Sequence, residues 1–214
     1  YKRMADKMRC MLLSAAEIYD YSFLKDIIEK EKLFFVCADG GYKHAEKLNI
    51  KPDLVIGDFD SLDSEKVDCS EIIRLIPEKD DTDTFFAVRE ILRRGFRDII
   101  ISGGIGNRAD HTFANIQTLL YIQNNGGNGI LINEKNKMFI LENESFEVFK
   151  ESKYVSVFSL LPVSYGITLE GMKYPLNNYD LKNDCIIGTS NEILSEKGKI
   201  TVKNGCLLII FSND

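Results

Sequence analysis

The 214-residue chain contains no tryptophan, two histidines and four prolines. Any aromatic ring that packs on a ligand must therefore be a tyrosine or a phenylalanine. The longest apolar runs, "LFFVCA" at 33 to 38 and "CLLIIF" at 206 to 211, are far short of the roughly 20 residues a membrane-spanning helix needs. The opening stretch, "YKRMADKMRC", is polar and lacks the apolar core of a signal peptide. No lysine or arginine block stands out and the formal net charge is −6, which argues against a nucleic-acid backbone as partner. The five cysteines, at 10, 37, 69, 185 and 206, are scattered, odd in number and without a CxxC pair. Structural disulfides and a zinc site are not expected, and the cytoplasm is the expected compartment. Nor is there a Pro- or Ser-rich linker, an internal repeat or a low-complexity segment.

What is present falls into two textures. Hydrophobic residues make up 44% and charged residues 28%, ordinary for a globular chain able to bury a core. Up to about residue 132, short apolar runs alternate with helical patterns. The runs are "CMLLSAA", "LFFVCADGG", "DLVIGDF", "EIIRLIP", "DIIISGG" and "GILIN". Between them, "YSFLKDIIEKEK" places Phe23, Leu24, Ile27 and Ile28 on one helix face, and "TDTFFAVREILRRG" does the same with Phe85, Val88, Ile91 and Leu92. "DHTFANIQTLLYIQNNGG" repeats the pattern with Phe113, Ile116, Leu119 and Leu120, then ends in glycines suited to a helix C-terminus. Runs apolar on both faces and joined by helices predict a mostly parallel sheet covered on both sides.

From about residue 133 the helical spacing disappears. "MFILEN", "SFEVFK", "YVSVFSLL", "GITLEGM", "CIIGTS", "GKITVKNG" and "CLLIIF" follow one another, separated by turn residues, and Asn-Gly in "VKNGCLLIIF" predicts a hairpin. The expected fold is an α/β domain over 1–132 followed by an all-β sandwich over 133–214.

In an open α/β sheet, ligands bind beyond the carboxyl ends of the strands. Four consecutive expected strand ends carry acidic or glycine-rich loops: Asp39-Gly40-Gly41, then Asp58-Phe59-Asp60-Ser61, then Glu78 to Asp83, then "GGIGNRADH" at 103 to 111. Each has a plain structural reading. Asp39-Gly-Gly makes a tight turn, Asp58 and Asp60 can be solvated, and Asp81 or Thr82 can cap a helix. Yet alternate residues of an extended chain point the same way, so Asp58 and Asp60 repel unless a cation neutralises them. Mg²⁺ is suited to that task, since it takes one or two carboxylates together with substrate phosphates. The glycines of 103 to 106 let backbone N–H groups approach an anion, and Lys79 and Arg108 add positive charge. The glycine loop matches neither the Walker pattern nor GxGxxG. Of the histidines, His44 reads as a surface residue of a helix, and His111, at a helix start, as an orienting group. No serine or cysteine has the setting of an activated nucleophile. Together these features describe a nucleoside-triphosphate site for transfer of a phosphorus group.

"DGG" (39 to 41), "GDFDS" (57 to 61), "DDTD" (80 to 83), "GGIGNRADH" with Asn115, and "GTSNE" (188 to 192) occur in an order that resembles the thiamine pyrophosphokinase family over nearly the whole chain. The resemblance implies an N-terminal α/β domain, a C-terminal β-sandwich that binds thiamine and mediates dimerisation, and a homodimer. It also implies the reaction of ATP with thiamine to give AMP and thiamine diphosphate, with Mg²⁺. By position, Asp58, Asp60 and Asp83 look like the acids around Mg²⁺ and the triphosphate. Asp39, Ser61, Lys79, Asp80 and Thr82 look like nearby nucleotide-site residues, and Arg108, Asp110, His111 and Asn115 lie in the motif that lines the family's cleft. Ser190 and Asn191 look like the β-domain's contribution to thiamine binding, although "GTSNE" alone reads as a β-turn. Gly106-Asn107 departs from the second glycine pair of many relatives, a change tolerable where Asn adopts left-handed angles.

The implied mechanism is in-line attack by the thiamine hydroxyl on the β-phosphorus of ATP, with Asp83 or Asp110 accepting the proton. A Mg²⁺-dependent phosphohydrolase or other phosphotransferase would keep the same site. A thiamine- or nucleotide-binding sensor is the non-enzymatic alternative.

Overall fold

The computed structural model describes residues 8–59, 67–76 and 81–214. The described chain divides into two compact units, up to Glu134 and from Lys135 onward.

The first unit is built on six strands: β1 (Arg9–Leu13), β2 (Leu33–Ala38), β3 (Leu54–Gly57), β4 (Ile72–Arg74), β5 (Asp98–Ser102) and β6 (Asn128–Ile132). They lie in the order β4-β3-β2-β1-β5-β6, and every pairing within the six is parallel. Among the described residues four α-helices lie between them: α1 (Ser22–Lys30), α2 (Tyr42–Leu48), α3 (Asp83–Arg93) and α4 (Ala109–Asn124). Consecutive residues Cys10, Met11, Leu12 and Leu13 are all 0% exposed, which requires cover on both faces of the sheet. Burying each large apolar side chain there contributes about 1.5–3 kcal/mol relative to leaving it in water. β4 lies at the edge of the sheet and is the exception, with Ile72 37% exposed.

Local signals explain the helices. Thr82 caps α3, its hydroxyl accepting from Phe85 N–H at 3.1 Å. Asn49 ends α2 in a left-handed conformation. The buried face of α4 is Asn115, Thr118, Leu119 and Ile122. Phe113, expected on that face, is instead 62% exposed. The helix starts at the carboxyl edge of the sheet, and its buried positions begin only at Asn115, nearly two turns in.

The second unit contains β7 (Asn136–Glu142), β8 (Ser145–Phe149), β9 (Tyr154–Ser159), β10 (Val163–Glu170), β11 (Leu176–Lys182), β12 (Lys197–Thr201) and β13 (Cys206–Ser212). β13 pairs antiparallel with β7 and β9, while β11-β10-β12-β8 forms a separate antiparallel sheet. Phe139 of β7 meets Phe146 of β8 edge-on at 5.4 Å between ring centroids.

Two expectations fail here. Asn204-Gly205 does not close a hairpin, because β12 and β13 belong to different sheets. The turn is a crossover, held by Tyr165 N–H on Asn204 O at 2.8 Å and by Gly205 N–H on the Asn143 side chain at 2.8 Å. "CIIGTS" is a loop rather than a strand, with Ile186 and Ile187 76% and 52% exposed. The strand in that region is β11, "LNNYDLK". It lies at a sheet edge and buries Leu181, so it needs little apolar patterning.

Candidate active site

The chain runs outward from β1 through β2, β3 and β4, then returns to place β5 and β6 on the other side of β1. The loops after β1 and β5 therefore diverge, and that crevice is where an open α/β sheet accepts a ligand. Small residues make the crevice tight. Ser14 N–H donates to Ser102 O and Ala16 N–H to Gly103 O, both at 2.8 Å, so the segment Ser14–Ala16 runs beside the loop after β5. Gly103 has φ +69, and a β-carbon there would stand 2.2 Å from Ser14 O. A β-carbon on Gly106 would stand 2.8 Å from the Ala16 β-carbon. On the other flank, one on Gly41 would stand 2.0 Å from Leu13 O, and one on Gly40 would stand 3.2 Å from the Ala15 β-carbon. Two glycine loops thus press on one small-residue segment. The segment "SAA" was not among the residues the sequence singled out. Its signal is three small side chains directly after a buried strand.

Acids line the next strand ends. Asp39 follows β2 with φ 43, and a β-carbon on Gly57 would lie 3.1 Å from the Asp39 α-carbon. Gly57 leads directly into Asp58, so Asp39 and Asp58 occupy neighbouring strand ends, both half-buried. Asp83 is the first residue of α3, and the following Thr84 bonds the Ser14 hydroxyl at 2.9 Å. This tie brings the start of α3 to the end of β1. Asp81 is engaged elsewhere, on Arg89 at 2.7 Å. Asp60, Ser61, Lys79 and Asp80 lie outside the described residues. Among the described residues no group of three His, Cys, Asp or Glu side chains is arranged to hold a metal by itself.

At the start of α4, Arg108 and Asp110 form an exposed pair, with Nη2 donating to Oδ2 at 2.5 Å. That guanidinium bond pulls the Asp110 carboxyl down to a pKa of about 2. His111 beside it is exposed. Asn115 is buried and points inward, its Nδ2 donating to Gly104 O at 2.8 Å, so it fixes the glycine loop from below. Within that loop Gly103 is the residue with positive φ, and Asn107 needs no left-handed angle. The departure at Asn107 therefore costs the loop no backbone strain.

In the β-rich unit, Asn191 is 2% exposed. Its Oδ1 accepts from Tyr174 N–H at 2.9 Å and its Nδ2 donates to Tyr174 O at 2.7 Å. It clamps the Tyr174 backbone as a neighbouring strand would. Ser190 beside it is exposed, has φ 55, and donates its N–H to the Ser156 hydroxyl at 3.0 Å. Tyr174 itself is 57% exposed, an aromatic ring on a fixed backbone that sequence reading did not single out. His44, expected at the surface, is 4% exposed. It shares the buried side of α2 with Tyr42 and Ala45 and spends both ring nitrogens on neighbours.

Two family models match this chain. The thiamin pyrophosphokinase catalytic domain covers residues 24–131, and the thiamin pyrophosphokinase vitamin B1 binding domain covers 140–207. The chain belongs to the thiamin pyrophosphokinase family. Thiamine pyrophosphokinase of Bacillus subtilis is 28% identical over 193 residues, which is 86% of this chain and 89% of that protein. Thiamine pyrophosphokinase 1 of Oryza sativa is also 28% identical, over 78% of this chain and 74% of its own length. The crystal structure of the Bacillus subtilis protein superposes with a TM-score of 0.85 at 27% identity, covering 97% of this chain and all of that one. A family protein from Enterococcus faecalis gives 0.82 at 27% identity, covering 96% and 99%. A mostly parallel α/β domain followed by a β-rich domain is thus the architecture of this family's solved members. The glycine loops and the Asp39–Asp58 strand ends all fall inside the matched catalytic domain, while Tyr174, Ser190 and Asn191 fall inside the matched vitamin B1 binding domain.

Proposed function

We propose that this member of the family works as a thiamine diphosphokinase whose triphosphate lies on the loops that flank Ser14–Ala16. The hydroxyl oxygen of thiamine attacks the β-phosphorus of ATP. The bond from that phosphorus to the oxygen bridging it to the α-phosphorus breaks, AMP leaves, and the hydroxyl gives up its proton. The observation that carries the reading is the glycine-lined crevice at the β1/β5 divergence with Asp39 and Asp58 at the adjoining strand ends.

Mg²⁺ suits this donor set. A hard ion takes oxygen ligands, and one or two carboxylates suffice when phosphate and water complete the shell. Asp58 and Asp83 would hold it, with Asp60 as a further candidate. It would neutralise charge on the phosphate oxygens. The chain's own groups do the rest. The glycine loop of 103–106, whose Gly106 N–H is taken up by the Thr112 hydroxyl at 3.3 Å, and the positive end of α4 receive the anion. Arg108, held to one orientation by Asp110, offers its charge to non-bridging oxygens. The proton of the attacking hydroxyl passes to Asp83 or Asp110, and the loose transition state of phosphoryl transfer asks little base strength of either. Thr82 and Asn115 position the backbone around the nucleotide, and Asp39, Ser61, Lys79, Asp80 and His111 complete its surroundings. In the β-rich unit, Tyr174 offers a face for the thiamine ring and Ser190 a hydroxyl. Asn191, whose amide is taken up by Tyr174, acts by holding that face in place. A homodimer is the assembly in which we place the reaction. The cytoplasm is its compartment, a reading supported by five unpaired cysteines.

Incubation with ATP, Mg²⁺ and thiamine, followed by mass spectrometry, tests the reading. AMP and thiamine diphosphate in equal amounts are expected. Inorganic phosphate with ADP would identify a phosphohydrolase, and thiamine binding without ATP consumption would identify a sensor.

A further inference from the structure

His44 is one of two histidines in the chain and belongs to none of the loops discussed above. It lies on α2, nearly inaccessible to solvent, with Nε2 3.0 Å from Ala16 O and Nδ1 2.6 Å from the Tyr21 hydroxyl. A carbonyl can only accept, so Nε2 carries the hydrogen. Burial lowers the histidine pKa, so the ring is neutral near pH 7 and Nδ1 accepts from Tyr21. The charged groups nearest the ring are Lys43 and Lys47 from α2 and Glu17 from the loop after β1. Lys47 also lies 5.7 Å from the Tyr21 ring centre and 3.9 Å from Glu17. The hook therefore bridges α2 and the β1–α1 loop.

The residue it holds is the one on which the phosphate loop rests. Ala16 N–H donates to Gly103 O, and the Ala16 methyl occupies the space a Gly106 side chain would need. The two backbone groups of one residue thus serve different partners: Ala16 N–H fixes the start of the glycine loop, and the Ala16 carbonyl is fixed by His44.

We propose that His44 is a positioning residue for the ATP phosphates: through Ala16 it sets where the backbone of Gly103–Gly106 stands. The proposal rests on the reading of that loop as the triphosphate cradle. It predicts an effect on ATP and not on thiamine, and it predicts which nitrogen matters. A glutamine amide can bring a donor to the Nε2 position, whereas an asparagine amide reaches only as far as Nδ1.

The test is steady-state kinetics of His44→Gln and His44→Asn in the full chain, alongside melting temperatures. The Gln variant should keep the KM for ATP within about twofold of wild type, and the Asn variant should raise it about tenfold, with the KM for thiamine unchanged in both. Equal behaviour of the two variants, or losses that follow the melting temperature and affect both substrates alike, overturns the proposal. If the Asn variant does not fold, Gly106→Ala with and without Ala16→Gly addresses the same link. Removing the Ala16 methyl should restore the ATP KM raised by the Gly106 substitution, and no restoration overturns the proposal. A wild-type protein that makes no AMP takes down the functional reading and this inference together. An active wild type with indistinguishable Gln and Asn variants takes down this inference alone.

Discussion

Replacing Gly57 with alanine separates the geometry of the acidic strand ends from the stability of the fold. The added methyl would sit 3.1 Å from the Asp39 α-carbon and 3.4 Å from its β-carbon. Carbon atoms rest at about 3.5–4.0 Å, so about half an ångström must be found, and the atoms in the way are mostly backbone. Gly57 is a strand residue without positive φ, so alanine brings no dihedral penalty. The folding cost is then overpacking alone, about 1 kcal/mol, or roughly 2–4 °C in melting temperature for a chain of this size. The cost in turnover should be larger in proportion. A misplacement of about 1 Å at a reacting centre can lower the rate about a hundredfold, so half of that predicts roughly a tenfold fall in kcat. Gly126→Ala is the matched control. Its φ is +71 with nothing within 4 Å, so alanine there carries backbone strain and no clash. A single left-handed alanine costs about 1–2 kcal/mol. Gly126 precedes β6 at the opposite edge of the sheet from the site, so kcat should stay at the wild-type value. The assay is AMP formation at saturating ATP and thiamine, with thermal melting of the same preparations. A Gly57→Ala enzyme with kcat within twofold of wild type, or a control that loses as much turnover, would refute the placement of Asp39 in the working site.

Three further outcomes are expected. Tyr174→Ala should raise the KM for thiamine about tenfold and leave that for ATP alone, with Tyr174→Phe close to wild type, since the ring face rather than the hydroxyl does the packing; initial-rate measurements decide it. Cys10, Cys37 and Cys206 are buried, and burial pushes their thiols above the usual range; a thiol reagent should therefore label only Cys69 and Cys185 in the native protein and all five in denaturant. Glu90 accepts from Arg93 and Arg94, and the Arg93 bond leads in holding its carboxyl below the ordinary 4.5. A lowered pKa gives stability that is full above the ordinary value and is lost progressively as pH falls through the folded one, so Glu90→Gln should cost roughly 1 kcal/mol at pH 7, and its gap to wild type should narrow in melts run at pH values falling below 4.5.

Strands β1, β3, β5 and β6 were legible because each carries three or four consecutive apolar residues, a pattern that a sheet covered on both sides requires. The acidic and glycine turns at its carboxyl edge were legible for a related reason: a buried run that ends in charge or glycine marks the end of a strand. Pattern reading failed where the deciding term was not periodicity. Asn204-Gly205 has the residues of a hairpin, but a dipeptide specifies its own backbone angles and not which sheet the next strand joins. β11 escaped because an edge strand buries so few side chains that its sequence hardly differs from a loop. Phe113 was read as core because helical spacing continues past the point where the sheet stops covering the helix. His44 is the most instructive miss. A helix with lysines on both sides of its histidine looks solvated, and nothing in "YKHAEKL" reports that the carbonyl of Ala16, in the loop after β1, needs a donor. That carbonyl, Ala16 O, belongs to a segment whose small side chains exist to let two glycine loops approach, and small side chains bring no donors of their own beyond Ser14. A crevice built by removing side chains must borrow its hydrogen bonds from outside the crevice. The groups that supply them, His44 below Ala16 and Asn115 below Gly104, are each held inside a neighbouring helix.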